Sequence, residues 1–187
     1  MSADEFAQVL ELVRSRLDSV AQEDWSRPAG TLEWTCWETL DHTVDCLFSY
    51  TLQVAAGAKS GFLPFNELHA EPGASPEDLL AGLRGVGSMF VAVVRLAPPE
   101  TAASDGVFSL GLSDWCARAA YELSLHGHDV LSGLGAVLDL PDELCASIVA
   151  SPALWMFDRD RASAASDPWT ALLVGSGRPG PSTRGRR

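Results

Sequence analysis

Lysine is almost missing from this chain: of its 13 basic residues only Lys59 is a lysine, and they face 25 acidic ones. The net charge of −12 repels phosphate backbones and anionic headgroups, so neither nucleic acid nor a membrane surface is expected as a partner. Arg184, Arg186 and Arg187 follow glycine and proline and read as a frayed tail, not a nucleic-acid arm. Cysteine is sparse as well. Cys36, Cys46, Cys116 and Cys145 show no CxxC spacing, which excludes a zinc knuckle or a thioredoxin-type motif and leaves small core residues. No apolar run of bilayer length stands out. The start, Met1-Ser2-Ala3-Asp4-Glu5, is acidic where an export signal is basic, so the cytoplasm is the expected compartment.

Hydrophobic residues make up 47% of the 187, enough for one domain with a sizeable core. That domain is expected over 1–175. From Ser176 to Arg187 glycine, proline, serine and arginine dominate, and disorder is expected.

The pattern within the domain is helical. Over about 3–22, Phe6, Val9, Leu10, Val13, Leu17 and Val20 recur at helical spacing behind a Ser2-to-Glu5 capping box. A loop with Pro28 and Gly30 follows. A second helix runs from about Thr35, capped reciprocally by Glu38, to about Ala56. After a long loop, Ser75-Pro76-Glu77-Asp78 opens a third helix reaching about 96, with serine as cap, proline at the first helical position and acids on the positive end. A loop is expected over about 97–112; its part at 105–112 has room for a short strand, which is not the expected reading. A fourth helix runs from about Ser113 to Leu134 with Gly135 as its stop, and a shorter one begins at Pro141. The fold class is therefore all-α, a four-helix bundle with a short extra C-terminal helix.

The fourth helix carries a candidate site. Glu122 and His126 are four apart, about 40° around the axis, so both reach one point beside the helix. Carboxylate and imidazole suit zinc, nickel or iron. Trp115, Ala119, Leu123 and Val130 lie within about 60° of His126, which places it amid the apolar arc. Gly133 shares that face and admits a close neighbour, and Asp129 is placed to orient a ligand. His128, about 200° from His126, is assigned to solvent. A buried Glu/His pair is also compatible with simple core hydrogen bonding.

A metal needs a third ligand, and the second helix offers His42. The apolar arc of that helix is centred about 100° from His42, and Glu38, Asp41 and Asp45 flank its other side. Phase alone leaves it on the border between core and solvent. Cys46 faces a similar direction. Arg118, about 80° from His126, is placed either to meet a substrate carboxylate or, by default, on the surface. His69, between Glu67 and Glu71, reads as solvated. Trp25, Trp34, Trp37 and Trp115 read as core and staple residues.

Three stretches carry a resemblance. Trp34-Thr35-Cys36-Trp37-Glu38-Thr39-Leu40-Asp41-His42, Glu122-Leu123-Ser124-Leu125-His126-Gly127-His128-Asp129-Val130, and Asp167-Pro168-Trp169-Thr170-Ala171-Leu172-Leu173 ending in Gly175-Ser176-Gly177-Arg178 resemble, in order and spacing, the DinB-like superfamily. The branch they resemble is the mycothiol-dependent maleylpyruvate isomerase N-terminal domain family. The resemblance implies a DinB-like four-helix bundle and one divalent metal, zinc before nickel or iron, held by His42, Glu122 and His126. It implies mycothiol or a similar thiol as cosubstrate, a small-molecule substrate as the other partner, and an S-transferase or isomerase activity. The full isomerase has a further C-terminal domain for which 187 residues leave no room, so the narrower maleylpyruvate reaction is not expected. A non-catalytic ligand-binding or interaction bundle and a metal-dependent hydrolase stay open as alternatives, as does a homodimer.

Overall fold

The computed structural model describes residues 1–65 and 67–180. Among these the chain is mostly helical, with α1 Ala3–Asp18, α2 Cys36–Ala56, α3 Pro76–Leu96, α4 Leu112–Gly133, α5 Asp142–Val149, α6 Arg159–Ser163 and α7 Pro168–Gly175. The three expected caps set the first three starts. Ser2 with Glu5, Thr35 with Glu38 and Ser75 with Asp78 each form a reciprocal box, satisfying two of the amide donors that a helix start leaves unpaired.

The four long helices form the expected bundle. α1 packs on α3 and α4, and α2 packs on the same two. Side-chain contacts give the directions. Trp37 indole N–H donates to Ala74 O and Gly82 lies against Val44, so α2 and α3 run parallel. Phe6 meets Phe90 edge to face at 4.9 Å and Arg95 pairs with Asp4, so α1 opposes α3. His42 meets His126 while Tyr50 meets Trp115, so α2 opposes α4. Parallel neighbours need a return across the bundle's full length, and the long loop after α2 makes it. It is laced to α2 from end to end. Gln53 binds Gly61 and Leu63, Asp45 accepts from Leu68 N, Asp41 accepts from Ala70 N and His69, and Trp37 reaches Ala74.

α3 has the length and composition to cross a bilayer, which the sequence reading did not expect of any segment. Here it spends that hydrophobicity on the core through Leu79, Leu80, Leu83, Val86 and Phe90.

The loop expected over 97–112, with room for one short strand at 105–112, holds a two-stranded hairpin. Ala102–Ser104 (β1) pairs antiparallel with Ser109–Gly111 (β2). Asp105-Gly106 makes the turn: Gly106 sits at φ +93, and the Asp105 carboxylate accepts from the amides of Val107 and Phe108. This is the turn chemistry that an Asp-Gly step offers.

The structured chain also passes the boundary expected at 175. Gly177 at φ +86 turns the chain, and Arg178 packs back onto α4. Residues 181–187, the rest of the expected tail, lie outside the described residues.

Candidate metal centre

The seam between α2 and α4 presents two ladders in steps of four, the spacing that keeps side chains on one helix face. α2 offers His42, Cys46 and Tyr50; α4 offers Arg118, Glu122 and His126. Because the helices oppose, His42 lies across from His126, and Tyr50 from Glu122 and Arg118.

His42, left on the border by helix phase, is half-buried. Its ring sits edge to face with His126, centroids 5.2 Å apart, and edge to face with Trp34 at 4.9 Å. Trp34 is 46% exposed, so it is no core residue; it lies over His42. His126 Nε2 is 3.4 Å from Glu122 Oε2. Tyr50 donates its hydroxyl to Glu122 Oε1 at 3.3 Å. Cys46 Sγ is 3.4 Å from His42 Nε2. The three residues expected as ligands are thus neighbours in one half-buried spot on two helices.

The charges there are biased. Burial works against ionised Glu122, but His126, His42 and Arg118 outweigh it and hold the carboxyl below its ordinary range. Burial likewise opposes a charged His126, and Asp129 and Glu122 outweigh it, raising the imidazole. His42 moves the other way, lowered by burial and by His126. The carboxylates therefore favour positive charge there, either a proton on His126 or a cation that displaces it. Burial, with Glu122 beside it, pushes the Cys46 thiol well above its usual range.

The donors fit a divalent ion in kind, and one pair of them fits it in spacing. Two N/O donors on one tetrahedral zinc stand about 3.4 Å apart, given bonds of about 2.0–2.2 Å, and His126 and Glu122 have that separation. In the arrangement described, His42 Nε2 is turned to Cys46. No three His, Cys, Asp or Glu side chains among the described residues close around a common point.

Other expectations shift. Arg118 is not a surface residue. It is 4% exposed, binds Asp105 Oδ2 at 2.6 Å, and lies near the faces of Tyr50, Trp115 and Trp155. Its partner comes from the hairpin turn, which helix phase does not register. His128 is not in solvent either. Its ring packs on Trp169 of α7 at 5.7 Å, and burial lowers its pKa. Asp41 and Asp45, the acids flanking His42, hold the return loop. His69, half-exposed, is tied to Asp41 and Glu67. Cys36, Cys116 and Cys145 are buried, as expected, with thiols pushed up to about 11, 11 and 12. Gly133 admits a close neighbour: an added Cβ would stand 2.3 Å from Pro28 O. Tyr50 was missed as a polar contact of Glu122; its position eight residues after His42 is the signal that marks it.

No curated protein and no solved structure matches the chain. A family model described as the DinB superfamily matches residues 5–130. The match covers more than half of the chain and spans the four long helices through His126, and on it the chain belongs to the DinB superfamily.

Proposed function

We propose that this chain is a metal-dependent transferase or isomerase that uses a low-molecular-weight thiol and acts on a small electrophilic substrate. The observation that carries the reading is the meeting of His42, Glu122 and His126 from opposed helices, in a half-buried spot whose carboxylates favour positive charge. These three residues would hold the ion, with zinc preferred to nickel or iron. When bound, a divalent ion lowers the pKa of a thiol and supplies thiolate at neutral pH.

The remaining residues support that use. Trp34 lies over His42 and limits water on that side. Tyr50 fixes one oxygen of Glu122 and leaves the other toward His126. Asp129 faces the far nitrogen of His126, the kind of outer contact that orients a ligand. The resemblance of the Trp34-to-His42 and Glu122-to-Val130 stretches to the mycothiol-dependent branch favours a mycothiol-type thiol.

Metal content of the purified protein, measured beside His42→Ala and followed by thiol consumption with a panel of electrophiles, tests the reading. The expected result is one ion per chain in the wild type, much less in the variant, and metal-dependent loss of thiol. Substoichiometric metal in both proteins after supplementation would sink it. Full occupancy with no turnover would favour a non-catalytic binding bundle, a reading that the absence of a closed donor set among the described residues supports. Incorporation of solvent oxygen without thiol would indicate hydrolysis.

A further inference from the structure

The two nitrogens of His126 meet different surroundings. Nε2 faces Glu122 at 3.4 Å, on the side of His42. Nδ1 is buried, makes no hydrogen bond, and lies 3.5 Å from Asp129 Oδ2. Asp129 is 2% exposed, and a buried carboxylate needs partners for both oxygens. Arg178 supplies them. Its Nε donates to Oδ1 at 2.9 Å and to Oδ2 at 3.1 Å, and its terminal nitrogen donates to Oδ2 at 2.5 Å. A planar guanidinium gripping both oxygens fixes the plane of the carboxylate, which a lysine ammonium does not.

Arg178 reaches this place through local geometry. Gly177 at φ +86 and the bond from Arg178 N to Leu173 O close α7 and turn the chain back toward α4. The residue lies 49 positions after Asp129 and outside the family-matched stretch 5–130.

We propose that Arg178 is a positioning residue for the metal centre: it orients Asp129 against Nδ1 of His126, so that Nε2 is presented toward Glu122 and His42. The inference rests on the proposed metal reading for its consequence, and on the geometry alone for its cause.

The test uses full-length Arg178→Ala, Arg178→Lys and Asp129→Asn beside the wild type, with two readouts. The first is Co²⁺ and Zn²⁺ affinity by chelator competition. Arg178→Ala and Asp129→Asn should each weaken binding roughly 10–100-fold, the usual effect of losing an outer partner of a ligating histidine. Arg178→Lys should recover only part of it. The double variant should be no weaker than Asp129→Asn alone, because the two residues act in series. The second readout needs no metal: long-range ¹H–¹⁵N spectra of the His126 ring. At a pH high enough to make His126 neutral, the wild type should hold one tautomer, protonated at Nδ1, and Arg178→Ala should show a mixture. Unchanged affinity and an unchanged His126 spectrum in folded Arg178→Ala would overturn the proposal and leave Arg178 as a tie between α7 and α4. If Arg178→Ala does not fold, Arg178→Lys and Asp129→Asn decide by the same two readouts. If the wild type takes up no metal, the proposed function fails, and the tautomer alone decides the positioning role.

Discussion

The α2–α4 seam has two ends, and they treat buried charge differently. At one end Arg118 and Asp105 meet at 2.6 Å, both side chains at most 5% exposed, near the faces of three aromatic rings. At the other, His126 stands 3.4 Å from Glu122 and 3.5 Å from Asp129, and His42 stands 3.4 Å from Cys46. The first end is a closed ion pair. The second keeps His42, Cys46, Glu122 and His126 near one another at separations longer than good hydrogen bonds, whereas Asp129 there is tightly paired, to Arg178. Burial alone does not distinguish the two ends of this seam; the tightness of the pairing does. Helix phase placed Arg118 either against a substrate carboxylate or, by default, on the surface; its charge is instead met within the chain.

The largest effect should come from breaking the closed end. Asp105→Ala leaves Arg118 buried without its counter-charge, and the expected cost is about 3–5 kcal/mol in urea unfolding. Glu122→Gln at the open end should cost clearly less, because His126 keeps Asp129 as a carboxylate neighbour and can also give up its proton. Equal losses in the two variants would erase the distinction between the ends.

Metal-linked stability sharpens the same contrast. Zinc at 100 times its Kd should stabilise the wild type by about 2.7 kcal/mol through mass action. His126→Ala should lose that increment. A variant at the closed end, destabilised though it is, should keep it. An increment that survives in His126→Ala would place any zinc elsewhere.

Gly133 tests how far the open end depends on close packing behind it. A Cβ there would stand 2.3 Å from Pro28 O and 2.8 Å from Cys36 Sγ, so Gly133→Ala should destabilise by about 1–3 kcal/mol. Gly85, exposed in α3 with nothing within 4 Å of an added Cβ, is the control. There alanine should stabilise by about 0.5–1 kcal/mol. Similar signs at both positions would contradict the close approach of α4 to Pro28 and Cys36.

What the sequence made legible was local. The caps at Ser2, Thr35 and Ser75 bond to amides three residues away, so their pattern is written in short strings. Glu122 and His126 share one helix, and their adjacency follows from spacing. His42 was ambiguous because α2 packs on two helices and carries a loop, so its buried arc is too broad for phase to resolve. The errors have long-range causes. Arg118 is covered by a hairpin turn 13 residues upstream and His128 by Trp169 of α7, and the Arg178 partner of Asp129 was likewise out of local reach. Asp105-Gly106 was a readable turn signal within what was taken as plain loop.

The smallest expected effect tests the return loop that runs beside the open end. His69 joins that loop to α2, with Nδ1 2.7 Å from Asp41 and Nε2 3.0 Å from Glu67. Hydrogen bonds to Glu67 and then Asp41 raise its pKa above the ordinary 6.5. A raised folded-state pKa means the native chain holds the proton more tightly than the unfolded one. The contribution is therefore complete below about pH 6.5 and is lost as pH rises through the higher folded value. Other histidines titrate in the same range, so the useful quantity is the stability difference between wild type and His69→Ala. It should be larger at about pH 5.5 than at about pH 8.5. It should also be small, because the side chain is 55% exposed and solvent screens the pair. A difference that stays flat with pH would mean that the backbone bonds to Asp41 and Asp45 hold the loop without help from the imidazole. A difference that grows with pH would mean His69 is neutral in the folded chain, and the loop's acids would then stand unneutralised beside His42.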